Sequence, residues 1–201
     1  LLILLIGISL SACNNNSSSS ANTATSKADM AGYTLESLQG SDIQQATKKD
    51  ENGLLTEVGF FKNGKKTGTW TAYHKDKMTP KTITSYINGA LNGTFIEFND
   101  RGQMISIVTY KDNVYHGPFG RYKFNRPLEE ANFSNNKLNG LRKVFYENTG
   151  KIQAETEYKD GVQHGAHRNY NEAGQVILEY VYENGEKVSG QTFTPPPPEK
   201  K

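Results

Sequence analysis

The sequence predicts an all-β protein: an elongated, single-layer antiparallel sheet of successive β-hairpin repeats. Three observations predict it. Aromatic residues recur at Phe61, Tyr86, Tyr110, Phe133, Tyr158 and Tyr182, at steps of 25, 24, 23, 25 and 24. Each is followed by a two-residue turn signal: Asn63-Gly64, Asn88-Gly89, Asp112-Asn113, Asn135-Asn136, Asp160-Gly161 and Asn184-Gly185. Gly, Asn and Asp tolerate positive φ best, as both central positions of a type I′ hairpin turn require. A further glycine comes four residues later, at Gly68, Gly93, Gly117, Gly140 and Gly165; the sixth unit misses by one, with Ser189 then Gly190. A fixed period of this length marks a stacked repeat architecture.

Leu1 to Leu10 is an apolar run, too short for a bilayer-spanning helix of roughly 20 residues, and it fits the hydrophobic part of a signal peptide. Leu10-Ser11-Ala12-Cys13 resembles a bacterial lipobox, which implies cleavage before Cys13 and lipid on that residue. Residues 1–12 are thus read as signal peptide. Residues 13–41 are read as the lipidated cysteine and a flexible linker, because Asn14 to Gly32 hold almost no bulky apolar side chain to offset ordering entropy. The repeats occupy 42–190 in about six units. Residues 191–201 form a Pro-rich tail, with Pro195 to Pro198 unable to donate ladder hydrogen bonds.

Within a unit the side chains alternate. Ile152, Ala154, Thr156 and Tyr158 fall on one face, and Gln153, Glu155 and Glu157 on the other, which looks solvated. With Asn63-Gly64 as the turn, Lys62 opposes Lys65, Phe61 opposes Lys66, and Gly59 opposes Gly68. Phe61, Gly68 and Trp70 then share a face, with the glycine leaving room for the two rings. The corresponding sets are Tyr86, Gly93, Phe95 and Tyr110, Gly117, Phe119; Arg142 and His167 take the ring position in later units. A second aromatic row, at Tyr73, Phe98, Tyr122, Phe145 and Tyr170, has the opposite parity. Either it covers the other face or a bulge intervenes.

The pattern in FFKNGKKTGTWTAY resembles the MORN-type repeat, especially its bacterial variant, over about residues 42–190. The resemblance implies an elongated antiparallel sheet of hairpins. Asn113 and Asn136 depart from it by replacing the turn glycine. Some bacterial members are labelled antitoxins, which implies an immunity-like alternative in which the chain neutralises a toxin partner.

Charge and motifs narrow the function. The formal charge of +2 and the lack of a basic block give no reason to expect nucleic acid. The one cysteine leaves no disulfide framework within the chain. His164 and His167 occupy repeat slots filled elsewhere by residues that bind no metal, so no metal or other cofactor is expected. No nucleophile elbow, phosphate loop or dinucleotide fingerprint is present, and Glu129 and Glu130, as neighbours on a strand, point to opposite faces. No catalytic residue is assigned and the chain is expected not to be an enzyme; a periplasmic hydrolase or a glycan-binding protein remains the alternative class. The candidate binding stripe comprises Phe61, Trp70, Tyr86, Phe95, Tyr110, Phe119, Tyr158 and Tyr182, read either as core or as an exposed groove. The expected setting is the bacterial cell envelope. The partners would be the membrane, through lipid on Cys13, a protein or cell-wall ligand, and a second copy by edge pairing.

Overall fold

The computed structural model describes residues 30–75 and 78–194. The strands are β1 Thr34–Ser37, β2 Ile43–Lys49, β3 Leu55–Lys62, β4 Lys65–Tyr73, β5 Pro80–Ile87, β6 Ala90–Phe98, β7 Met104–Lys111 and β8 Val114–Lys123. They continue as β9 Arg126–Ser134, β10 Lys137–Leu138, β11 Gly140–Phe145, β12 Ile152–Lys159, β13 Val162–Tyr170, β14 Val176–Glu183 and β15 Glu186–Thr192. All belong to one open antiparallel sheet in chain order, except that the short β10 pairs β9 and lies off the main path. The expected all-β sheet of successive hairpins is what forms. Its limits are wider than expected: β1 lies inside the stretch read as linker, and β15 runs to Thr192. The signal segment, Cys13 and Pro195 to Pro198 lie outside the described residues.

The turn residues adopt the conformation their chemistry favours. Asn63, Asn88, Asp112, Asn135, Asp160 and Asn184 have φ between 50° and 52°, and the residue after each is also positive. Each turn from the second onward is fastened to the hairpin before it. The N–H groups of Gly89, Asn113, Asn136, Gly161 and Gly185 donate to the carbonyls of Lys66, Leu91, Tyr115, Leu138 and Gln163. Asn113 and Asn136 do more than replace glycine. Their side-chain oxygens accept the N–H of Leu91 at 2.8 Å and of Tyr115 at 2.7 Å.

The repeat glycine has a different role from the one expected. Phe60 pairs with Thr67 but Val58 pairs with Thr71, so Gly59 faces three residues, Gly68 to Trp70. Gly59 therefore does not oppose Gly68 in simple register. The same two-residue bulge recurs between Tyr86↔Leu91 and Thr84↔Phe95, and between Tyr110↔Tyr115 and Val108↔Phe119. The bulge glycines carry φ of 65°, 101°, 112°, 98° and 107°, where an L side chain costs about 1–2 kcal/mol. The bare backbone beneath Trp70 is Gly59: a Cβ there would lie 2.1 Å from the indole, whereas one on Gly68 would meet only Phe60, at 3.8 Å. Because two residues are inserted, face parity survives and Trp70 returns to the side of Phe61. The sixth hairpin inserts one residue, Val188, and Ser189 escapes positive φ, so it needs no glycine.

Another turn was not legible. Phe124 and Asn125 close β8–β9 with φ of 53° and 60°. Phenylalanine is an unusual occupant of that conformation. The Asn125 side chain secures the turn by accepting the Met104 N–H at 3.1 Å.

Candidate aromatic binding surface

Cross-strand register assigns the two faces. On the ring face a central row runs through Ala46, Gly59, Trp70, Thr84, Phe95, Val108, Phe119 and Ala131, alternating small with large from Gly59 onward. Arg142, Thr156, His167, Tyr180 and Gly190 continue it. Toward the hairpin turns lies the row Phe61, Tyr86, Tyr110, Phe133, Tyr158 and Tyr182. All eight stripe residues thus share one face. The second aromatic row lies on the other face: the Tyr122 ring covers Gly120, and the Tyr170 hydroxyl donates to Glu155 at 2.7 Å. Alternation within β12 holds from Ala154 to Tyr158, but a bulge at Gln153 leaves Ile152 opposite Phe145.

The stripe is not uniform. At its N-terminal end Phe61 and Trp70 are 0% and 2% exposed. Met30, Tyr33 and Leu35 pack against them. Tyr33 meets Phe61 edge-on at 5.6 Å and Trp70 at 5.5 Å, and Phe61 meets Trp70 at 5.0 Å. Lys66 Nζ lies 3.9 Å from the Trp70 ring centroid and pairs with Glu57 at 2.7 Å, while the Tyr33 hydroxyl donates to the other Glu57 oxygen. Burial and that carboxylate push the Tyr33 phenol well above its usual range. Phe61 and Trp70 are therefore core, one of the two readings open to the stripe. The residues that cover them come from the segment read as linker.

In the middle of the sheet the rings are half-buried, and no layer covers them among the described residues. Phe95 contacts Tyr110 at 6.5 Å, Tyr110 contacts Tyr115 at 5.1 Å, Tyr115 contacts Phe133 at 5.5 Å, and Phe133 contacts Phe119 at 5.6 Å. Burial first, then the Tyr115 hydroxyl, pushes the Tyr110 phenol up to about 12. The Tyr110 hydroxyl therefore stays protonated at neutral pH. Tyr115, 36% exposed, was missed by the sequence reading. It fills the slot held elsewhere by Lys66, Leu91, Leu138, Gln163 and Lys187, and pairing it with Tyr110 across the turn would have revealed it.

A polar row borders these rings on the side away from the hairpin turns. Ser106 donates to Glu97 at 3.4 Å, and Glu129 pairs with Arg121 at 2.8 Å and Arg142 at 2.6 Å. Glu129 is thus committed to two guanidinium groups, while Glu130 pairs in register with Lys143 on the opposite face.

At the C-terminal end His167 takes the ring position. It stacks on Tyr180 at 6.3 Å and its Nδ1 lies 2.8 Å from the Thr156 hydroxyl. Burial lowers its pKa. Tyr182 contacts both His167 and Tyr180. His164 instead meets the Asn184 N–H at 3.4 Å through Nδ1. Among the described residues no cluster of three His, Cys, Asp or Glu side chains is arranged to hold a metal.

Comparison with known proteins places two segments. The MORN repeat variant family matches residues 91–112 and 138–160. Each match starts on the slot just after one hairpin turn and ends on the first residue of a later one. Comparison with curated proteins gave no match. Among solved structures, a mutant of S. aureus TarM in complex with Fondaparinux, alpha-GlcNAc-glycerol and UDP aligns with 21% identity and TM-score 0.34, over 53% of this chain and 21% of that one. A second TarM structure aligns with 22% identity and TM-score 0.33, over 54% of this chain and 21% of that one. The chain thus spans about a fifth of those proteins, and neither alignment bears on what it binds.

Proposed function

Because the chain carries MORN-variant repeats in two phased segments, we propose that it is a non-catalytic binding or scaffold module. In this reading lipid on Cys13 holds it at the bacterial cell envelope, and its mid-sheet ring surface engages a polypeptide or cell-wall partner. One observation carries the reading: Phe95, Tyr110, Tyr115, Phe119 and Phe133 form a continuous, half-exposed ring surface. Elsewhere on the same face the chain covers its rings with its own N-terminal residues. Rings beside charged groups suit recognition, since aromatic faces supply contact area at small entropic cost.

The test is photo-crosslinking in intact cells from position 115, followed by identification of the captured species. The expected result is one dominant partner whose yield falls in a folded Phe119→Leu variant. Equal capture by wild type and variant would remove the ring surface from the account. Palmitate labelling lost in Cys13→Ala would support the anchor; unchanged labelling would refute it.

A further inference from the structure

If the mid-sheet rings are the binding surface, their spacing constrains the ligand. Phe95 on β6 and Phe119 on β8 lie two strands apart, which is about 10 Å at roughly 4.8 Å per strand. Between them sits Val108, 6% exposed, and the next rungs on either side carry Thr84 and Ala131. The surface is therefore ridged across the strands with a two-strand period.

Polyproline II repeats every three residues at roughly 3.1 Å each, so one turn advances about 9 Å and keeps step with these ridges. An extended strand presents same-side residues about 6.8 Å apart and falls out of phase within two ridges. Polyproline II also leaves its carbonyls without internal partners, and the hydrogen-bonded pair of Tyr110 and Tyr115 hydroxyls beside the ridges keeps one proton to donate. Charge adds a further condition. Along the polar border Glu57 is matched by Lys66, and Glu129 by Arg121 and Arg142. Glu97 contacts only the Ser106 hydroxyl among the described residues. A ligand with a basic side chain next to its prolines would supply the missing cation.

We infer that the ring surface of β6 to β9 takes a proline-rich, lysine- or arginine-bearing segment of another polypeptide, lying across the strands as a polyproline II helix. Thr192 to Lys201 of this chain has that composition and serves as the probe.

The experiment titrates the full-length chain with a synthetic peptide of residues 192–201. A peptide with Pro195 to Pro198 replaced by alanine and a soluble chitooligosaccharide run in parallel. The expected result is saturable binding of the proline peptide, weakened about tenfold by Phe119→Leu. Tyr115→Phe keeps the ring and the fold but removes a donor, and should weaken binding severalfold. Glu97→Gln should flatten its salt dependence. No binding of the proline peptide, equal binding of the alanine peptide, or ring-dependent binding of the sugar in its place would each overturn the inference. If the peptide fails while Phe119→Leu still loses its crosslinked partner in cells, the binding role stands and the proline-rich assignment alone falls.

Discussion

The two halves of the sheet share one backbone and differ in what they bury. On the face opposite the rings, the central row of the N-terminal half is Val58, Thr71, Ile83, Ile96 and Ile107. Across Gly120 the same row becomes Glu130, Lys143, Glu155, Arg168 and Glu179, an alternating ladder of charge. The ring face changes in parallel, from Phe61 and Trp70 in a closed cluster to Thr156 and His167 in a polar one. The hairpin turns, and the bulges of the first five hairpins, do not change between the halves; only the last hairpin departs, by inserting one residue. The repeat therefore specifies backbone geometry through a few Asn, Asp and Gly positions, and leaves the slots between them free. The fold tolerates an apolar and an ionic solution to the same geometry.

This contrast can be broken at several points. The largest effect is expected for Trp70→Ala, which empties the N-terminal cluster and should cost about 3–5 kcal/mol by chemical denaturation. His167→Ala, at the equivalent slot, should cost about 1 kcal/mol. A similar loss at both sites would erase the distinction. Next come the bulge glycines. Gly93→Val and Gly165→Val, at φ 101° and 107°, should each cost about 1–3 kcal/mol, and about equally, since the backbone is common to both halves.

A smaller effect is expected in the charge ladder. Arg168 pairs with Glu179 at a half-exposed site, so Glu179→Gln should cost only about 0.2–1 kcal/mol, diminishing in high salt. Ile96→Val in the other half should show no salt dependence. The smallest effect concerns pH. Burial holds His167 neutral in the folded chain, while the unfolded chain takes up a proton near pH 6.5. Stability should therefore be fully present above that value, fall as pH drops through it, and level off below the folded pKa. His167→Gln should remove that step from denaturation midpoints measured between pH 8 and pH 5.

Much of this was readable from the chain alone, because positive φ has few willing occupants. Asn63-Gly64 and its counterparts announced themselves, and so did the bulge glycines, although Gly68 answers to backbone conformation and Gly59 makes the room for Trp70. Other features left no such mark. Phe124 turns the chain with a residue that turn chemistry disfavours, held by an Asn125 contact to a neighbouring strand. Tyr33 looks like linker until Phe61 and Trp70 are placed beneath it. The opposite face was expected to be solvated throughout, but only its C-terminal half carries charge in the central row. Alternation reports that a residue points away from one face, not what awaits it on the other.

The backbone hydrogen bonds that tie each turn to its predecessor run one way. The N–H belongs to the later hairpin and the carbonyl to the earlier, while the Asn113 and Asn136 side chains accept in the return direction. The array consequently has a grain, and a chain leaving the ribosome finds each docking carbonyl already in place when the next turn emerges. Shortening the protein from its C-terminus should leave a smaller sheet intact, whereas cutting away Met30 to Ser37 unroofs the cluster on which the first hairpin rests.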